Sequence, residues 1–269
     1  MILLLQLLAN GFVSGCNIAL LALSFAIIYN TTRTFHIAHG AVYAVAAYIC
    51  YVCLVRKGWT FVVAMSLAVL LSSGLGVLME LVVYAPLVRR KASMLVGLLS
   101  SLGLYVAVIN VIALIFGNDT KLLHPGIDKV SHFGPVILTR VQIIEILTAS
   151  ILLPLSVVIL NRTTWGKIIR AVRDNTSLAT VVGINVLAVR ISVFGLGSAL
   201  AAVAAVLAAL DVGVDPQAGM PALLTAAVAL IVGGVGTYVG PVVGGFVLGL
   251  LQGSWCLANL GPLDRCNYL

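Results

Sequence analysis

Few side chains in this chain of 269 residues have a type and position that suggest chemistry. His39 lies in an apolar stretch, where it could contact a solute, or cap or hydrogen-bond a helix end as a neutral ring. Glu80 and Glu145 are single acids toward the ends of apolar stretches, which favours snorkelling or interhelical hydrogen bonding over catalysis. Cys50 and Cys53 form a CxxC without a second pair, so we expect ordinary packing. The sequence therefore predicts no catalytic residue and no metal site.

The composition indicates that lipid is the solvent for most of the chain. Hydrophobic residues make up 62% and charged residues only 9%, and the mean hydropathy is +1.19. The net charge of +7 comes from short Lys and Arg clusters between apolar runs, which is typical of membrane topology rather than nucleic-acid binding. The first residues lack the pattern of a cleaved signal peptide. We expect one transmembrane domain over residues 1–269 and no nucleic-acid partner.

Polar punctuation divides the chain into apolar spans long enough to cross a bilayer as helices. The last two are short and glycine-rich, which is typical of discontinuous or re-entrant helices. The prediction is an all-α, polytopic integral membrane protein with about seven to eight transmembrane or re-entrant helices. The predicted spans are 12–30, 38–55, 61–84, 94–117, 141–160, 187–210, 221–236 and 239–253.

The basic residues of alternate loops predict the orientation, because Lys and Arg are retained on the cytoplasmic side. The richer set is expected inside, which places the N-terminus and the loops 118–140 and 211–220 outside. That set is Arg33, Arg89, Arg90, Lys91, Arg162, Lys167, Arg170, Arg173 and Arg190. The poorer set is Arg56, Lys57, Lys121, Lys129 and Arg140.

The longest predicted cytoplasmic segment, 161–186, reads as two short helices joined by a polar corner. An apolar stripe at helical spacing is followed by N-cap residues, and SLATVVG can form a short helix that ends at Gly183. This pattern fits an amphipathic hairpin on the lipid headgroups or a docking element for a partner protein. The stripe consists of Trp165, Ile168, Ile169 and Val172.

Glycines near the C-terminal end suggest where a solute could pass. At Gly233, Gly234 and Gly236 the backbone could face a permeation path and offer amides to an anionic group, with Gly40 and His39 as further candidates. Close helix packing through small residues is the alternative. No GxxxxGK[ST] motif occurs, so we do not expect this chain by itself to hold and hydrolyse ATP; if it moves a solute, the energy must come from a partner or from an ion gradient.

Three segments, in order, resemble the permease subunits of bacterial high-affinity branched-chain amino acid ABC transporters. They are GFVSGCNIALLALSFAIIYNTTRTFHIAHGAVYAVAAYICY, AVRDNTSLATVVGINV with the alanine-rich run after it, and PALLTAAVALIVGGVGTYVGPVVGGFVLGLLQ. The first departs from the family pattern at His36, Ile37 and Ala41, and the segment after Gly249 turns polar where the family usually continues in apolar sequence.

The resemblance implies an ABC importer permease fold in a bacterial inner membrane. It implies a second, non-identical permease subunit, two ATP-binding subunits that hold ATP and Mg²⁺, and a periplasmic substrate-binding protein, with no cofactor bound by this chain. In that family the cytoplasmic loop seats in a groove of the ATP-binding subunit and couples the two. The matching coupling positions here are Ala171, Asp174, Ala179, Gly183, Ile184 and Asn185.

Two other functions remain open at this stage. A permease of the same family could carry urea or another short amide. A self-sufficient, ion-coupled secondary transporter would require intramembrane carboxylates or broken helices in matching halves, and the sequence shows a glycine-rich break in one half only.

Overall fold

The structure, a computed structural model, describes residues 2–123, 130–133 and 136–259. Among them, seven helices are long and apolar enough to cross a membrane. Their positions follow the predicted spans, so the all-α multi-pass prediction is confirmed. In chain order the α-helices are α1 (Ile2–Thr32), α2 (His39–Tyr51), α3 (Phe61–Met79), α4 (Ala85–Arg89), α5 (Met94–Phe116), α6 (Arg140–Arg162), α7 (Thr164–Asp174), α8 (Thr176–Val181), α9 (Val186–Val212), α10 (Gly219–Gly233) and α11 (Val239–Asn259).

Short helical turns of other types extend three of these helices. A π-helical turn at Val52–Arg56 continues α2, and a second at Glu80–Tyr84 joins α3 to α4 without a break. A 3₁₀ turn at Pro216–Ala218 leads into α10. The span that begins at α3 therefore runs on to Arg89, five residues beyond its predicted end at 84.

A small antiparallel hairpin, which the sequence reading did not predict, precedes α6. Its strands are β1 (Val130–Phe133) and β2 (Val136–Thr139). The Gln6 side chain of α1 makes two 2.8 Å hydrogen bonds with the backbone of Ile137, which anchors the hairpin to the bundle. Thr139 then caps α6 in a reciprocal capping box.

The core consists of two similar units of opposite direction. In the first, α1 is followed by α2 and α3; in the second, α9 is followed by α10 and α11. The helices α1 and α9 pack side by side, while α3 packs on α9 and α11 packs on α1. Each unit thus supplies the partner for the other, an arrangement seen in transporters built from inverted repeats.

Stripes of small residues allow α1 and α11 to approach closely. Gly245, Gly249 and Gly253 recur every fourth residue on α11, and a Cβ on Gly249 would lie 2.3 Å from the Cα of Gly15. A Cβ on Gly245 would lie 2.5 Å from the Cα of Ala19. Without side chains at these positions the two backbones touch, which maximises dispersion contact inside a lipid environment.

Helix α2 begins inside the bundle rather than at its end. Its first residue, His39, contacts Ser24, which lies two turns before the end of α1 at Thr32. Eight helical residues span about 12 Å, so the segment 33–38 turns back into the bundle by roughly that depth. The sequence shows a glycine-rich break only in the second unit, and because the segment 33–38 contains no glycine, the inward start of α2 was not predicted.

Candidate functional site

The polar corner predicted between two short helices is present and is closed by hydrogen bonds at each end. The Thr163 side chain caps α7, and the Asn175 side chain accepts from the amide of Leu178 to cap α8. Helix α8 ends in a Schellman motif, in which the amides of Gly183 and Ile184 bind carbonyls of the preceding turn. Gly183 has φ +87°, a conformation that favours glycine. We call α7, α8 and residues 182–185 the α7–α8 corner.

The apolar stripe of α7 is narrower than predicted. Ile169 and Val172 are buried against the bundle and Trp165 packs partly on it, whereas Ile168 is exposed. A backbone carbonyl presses against Gly166, where a Cβ would lie 2.1 Å from the oxygen of Leu160. The helix therefore rests directly on the end of α6.

The positions matched to the family's coupling loop divide into exposed and supporting residues. Ala171, Asp174 and Gly183 are exposed, whereas Ala179 is buried and turns α8 onto the bundle. Asn185 is exposed and its side chain caps α9 by accepting from the amide of Ala188. Ile184, the sixth matched position, is half-buried against the core. Their role in coupling stays a prediction.

The α7–α8 corner ends in large apolar side chains that are left exposed by the other described residues. Leu178, Val181 and Val182 are 62%, 84% and 79% exposed. We call these three residues the tip. Exposed apolar clusters beside charged groups mark surfaces that meet a protein or a membrane.

Arg173 connects the α7–α8 corner to the core, which the sequence reading did not predict. Its Nη1 donates to the carbonyl of Gly236 over 2.7 Å, and its Nε pairs with Asp174 over 2.8 Å. The Asn30 side chain accepts from the amide of Gly236 and donates to the carbonyl of Thr237, each over 3.0 Å. Through these bonds α7 holds the turn between α10 and α11 against the end of α1.

The candidate path glycines of the second unit lie at that same turn. A Cβ on Gly233 would lie 1.9 Å from the carbonyl oxygen of Gly240, so this residue permits the close crossing of α10 and α11. Gly234 and Gly236 have φ values of +97° and +99° and shape the turn. The amide of Gly236 is already bound to Asn30. Contact of these glycines with a solute stays a prediction.

Gly40 lies where the two inward-starting helices cross. A Cβ on Gly40 would lie 2.7 Å from the carbonyl oxygen of Gly219, and one on Gly219 would lie 2.1 Å from that of Gly40. The amide of Ala38 donates to the Ser101 hydroxyl, and the amide of His39 donates to the carbonyl of His36, so the start of α2 is internally satisfied. Gly219 shares the features of Gly40, since each lies in the first turn of an apolar helix, but the sequence reading missed it.

His39 is fully buried and hydrogen-bonded inside the bundle. Its Nε2 lies 2.9 Å from the Ser24 hydroxyl, which in turn donates to a carbonyl of α1 over 2.6 Å. His36, which the sequence reading did not select, lies beside it and places Nδ1 2.7 Å from the Tyr84 hydroxyl. This packing links the segment 33–38 to α1 and to the π-helical turn that follows α3.

A buried ion pair joins the two units close to the α7–α8 corner. Glu80 is fully buried, and its two carboxylate oxygens accept from Nε and Nη2 of Arg190 over 2.5 and 3.0 Å. Interhelical bonding of Glu80 is thus confirmed. The assignment of Arg190 to a cytoplasmic loop is wrong, because this residue lies within α9 and is 8% exposed. Its positive charge is paired with the Glu80 carboxylate rather than solvated by water.

Other sequence predictions concern buried groups outside these contacts. Glu145 is buried in α6 beside Asn17 of α1, so it does not snorkel to a helix end. Cys50 and Cys53 are buried free thiols, which confirms packing. Among the described residues, no group of three His, Cys, Asp or Glu side chains is close enough to hold a metal ion.

Comparison with known proteins identifies relatives along most of the chain. Residues 7–259 match the family described as the permease component of branched-chain amino acid transport systems. The chain is 31% identical to the high-affinity branched-chain amino acid transport system permease protein LivH of Escherichia coli strain K12, covering 92% of this chain and 84% of that protein. It is 30% identical to the corresponding protein BraD of Pseudomonas aeruginosa, covering 92% and 85%.

Two relatives with lower identity or coverage are also named as transport permeases. A probable branched-chain amino acid transport permease protein LivH of the archaeon Methanocaldococcus jannaschii is 27% identical and covers 92% of this chain and 79% of that protein. A fructose import permease protein of Rhizobium meliloti matches 36% of this chain at 33% identity, covering 26% of that protein. No solved structure matches. With its all-helical multi-pass fold and a family match over nearly its full length, the chain belongs to the family of permease components of branched-chain amino acid transport systems.

Proposed function

We propose that this chain is the membrane-spanning permease subunit of an ATP-driven importer that moves leucine, isoleucine and valine across a bacterial inner membrane. The names of its full-length relatives support the substrate class. The single structural observation that supports coupling to a separate motor is the α7–α8 corner, with its exposed apolar tip and rigid caps. ATP and Mg²⁺ would be held by partner subunits, and this chain would bind no cofactor.

The proposed assembly contains the partners that an importer of this kind requires. A second, non-identical permease subunit completes the path, one of two ATP-binding subunits docks on the 161–186 coupling loop, and a periplasmic binding protein delivers the amino acid at the opposite end. In this arrangement residues 1–269 act as one transmembrane domain. ATP and the amino acid therefore reach the complex at opposite ends of the bundle.

The contacts of the α7–α8 corner provide a route by which docking can move the core. Arg173 ties α7 to the turn between α10 and α11, and Asn30 ties that turn to α1. On the other side, α8 leads directly into α9, whose Arg190 is bound to Glu80 of the α3 span. A push on the tip therefore reaches both units through charged hydrogen bonds, which are stronger than neutral ones.

Reconstitution tests the proposal directly. The chain is co-expressed with its neighbouring transport genes, the complex is purified into proteoliposomes, and uptake of radiolabelled leucine is measured with ATP supplied on the α7–α8 side. We expect uptake that requires ATP and binding protein and that isoleucine and valine inhibit. Inhibition by excess urea alone would favour an amide permease and contradict the amino-acid assignment.

The role of the α7–α8 corner is tested by two exposed positions. Asp174→Ala and Gly183→Ala should reduce leucine uptake about tenfold or more. The chain should still fold, because both residues are exposed, although Gly183→Ala strains a left-handed backbone position. Gly74→Ala is the matched control, since a Cβ there meets nothing within 4 Å. Unchanged uptake in both corner variants would contradict coupling through this surface.

An ion-coupled transporter is the second candidate, and one observation favours it. Both units contain a helix that begins inside the bundle, at His39 and at Gly219, as secondary transporters with inverted repeats often have. Uptake by the chain alone, driven by an imposed proton or sodium gradient and abolished by an ionophore, would establish this function and overturn the importer proposal. Uptake that depends on ATP and persists with ionophore excludes it.

A further inference from the structure

A cavity of about 420 Å³ lies at the end of α9 remote from the α7–α8 corner. It is enclosed by α2, α9 and the segment 213–218, which leads into α10. A volume of this size falls within the usual range of small-molecule sites. None of the sequence-predicted path residues lines it, so it is a place that the proposed function does not yet use.

Alanine is the most frequent residue in the wall of this cavity. Small side chains on facing helices leave space that larger residues would fill, and the walls they form are aliphatic. Such walls suit a short branched hydrocarbon group. The alanines are Ala44 and Ala47 on α2, Ala205, Ala208 and Ala209 on α9, and Ala218 in the 3₁₀ turn before α10.

The polar groups of the cavity favour a positively charged ligand atom. Among the described residues that line the cavity, Asp215 is the one carboxylate, and Tyr43 and Thr120 contribute to the same wall. None of the described lining residues is a Lys, Arg or His. A carboxylate that lines such a cavity can pair with an ammonium group through a charge-assisted hydrogen bond, which is stronger than a neutral one.

The backbone holds Asp215 firmly in place. Lys121 and Val214 exchange two backbone hydrogen bonds of 2.8 Å, and Gly213 reaches this bridge with φ +94°. One carboxylate oxygen of Asp215 accepts from the amide of Gln217 over 2.8 Å and so starts the 3₁₀ turn. A preorganised acceptor binds its ligand with less loss of conformational entropy than a mobile one.

We propose that this cavity binds a small aliphatic amino acid, with its ammonium group paired to Asp215 and its hydrocarbon side chain against the alanine wall. The identity of the amino acid rests on the proposed function. The bound molecule would lie one short turn from Gly219, which touches Gly40 where α2 and α10 cross. Occupancy of the cavity is thereby adjacent to the contact that joins the two units.

Substitutions at Asp215 separate charge from capping. Asp215→Asn keeps an oxygen that can accept from Gln217 but removes the negative charge, whereas Asp215→Ala removes both. The full complex in detergent is tested for binding of radiolabelled leucine without the binding protein, by equilibrium dialysis. We expect saturable binding to the wild type, weakened about tenfold or more by either change, since hydrogen bonds to charged groups contribute about that much.

Filling the cavity provides an independent arm. Ala208→Leu should abolish leucine binding by occupying the ligand's space, while Ala107→Leu on the exposed face of α5 should leave it unchanged. Full binding by Asp215→Asn or by Ala208→Leu would overturn the site, as would the absence of saturable binding to the wild type. ATP-driven leucine uptake by the wild type would persist in any of these cases, so the proposed function and this site can fail separately.

Discussion

At the scale of the residue, two opposite charges are buried inside this bundle as a pair. Glu80 and Arg190 form a two-point ion pair across the α3 span and α9, where both are buried. Removing two charges from water is costly, and their mutual attraction offsets that cost only with good geometry. The pair therefore sets which faces of the two helices meet more than it adds to net stability.

The first prediction concerns this ion pair. Glu80→Gln should lower the free energy of unfolding by about 3–5 kcal/mol, because Arg190 is left buried without a counter-charge. Thermal unfolding in detergent measures the change. The double variant Glu80→Leu with Arg190→Leu should recover most of the loss, and the exposed Arg89→Leu is the control. A single variant as stable as the wild type would show that the pair is not tightly buried.

At the scale of the element, close helix crossings depend on positions that carry no side chain. The α1–α11 contact needs Gly249 against Gly15, and the crossing of α2 with α10 needs Gly40 against Gly219. In lipid, helices gain little from hydrophobic exclusion, so such close backbone contact supplies much of the attraction. Small-residue spacing along a helix therefore indicates where another helix will pack.

The second prediction tests one such crossing. Gly249→Ala should destabilise the bundle by about 1–3 kcal/mol or more, because the added Cβ would lie 2.3 Å from the backbone of Gly15. Gly103→Ala has open space around its Cβ and should be neutral or stabilising by about 0.5–1 kcal/mol. The comparison uses thermal unfolding in detergent. Equal melting temperatures for the two variants would argue against the α1–α11 contact.

The third prediction tests how α7 is connected to the core. Arg173→Ala should leave ATP hydrolysis by the complex measurable but reduce leucine uptake about tenfold, because the bond to Gly236 is lost. Lys167→Ala removes an exposed basic residue of the same helix and should have little effect. The number of leucine molecules moved per ATP hydrolysed measures the difference. An unchanged ratio in Arg173→Ala would contradict transmission through this contact.

At the scale of the whole molecule, the sequence predicts the spans well and their depth poorly. Hydropathy locates each apolar helix because lipid requires a long apolar run, and the N-cap residue Asn175 together with Gly183 indicates the α7–α8 corner. Hydropathy does not report where a helix starts within the bundle, so the inward start of α2 at His39 was not predictable from it. Likewise, the rule that assigns basic residues to loops fails at Arg190, whose partner Glu80 is 110 positions away.

The sequence likewise predicts the local structure of the α7–α8 corner but not its contacts with the core. Local signals predict the corner, since caps and a glycine with positive φ act within a few residues. The contacts that tie the corner to the core, Arg173 with Gly236 and Asn30 with Thr237, join positions far apart in the chain. Such pairings depend on the relative placement of helices, which a single sequence does not encode in any short pattern.

The central claim is that the α7–α8 corner faces the cytoplasm, where ATP-binding subunits can reach it. Asp174→Cys, in a background with the five native cysteines replaced by serine, is labelled with a membrane-impermeant maleimide in sealed right-side-out and inside-out vesicles. The account predicts labelling in inside-out vesicles only, with Thr120→Cys showing the reverse pattern. Labelling of Asp174→Cys from the outer face would contradict it.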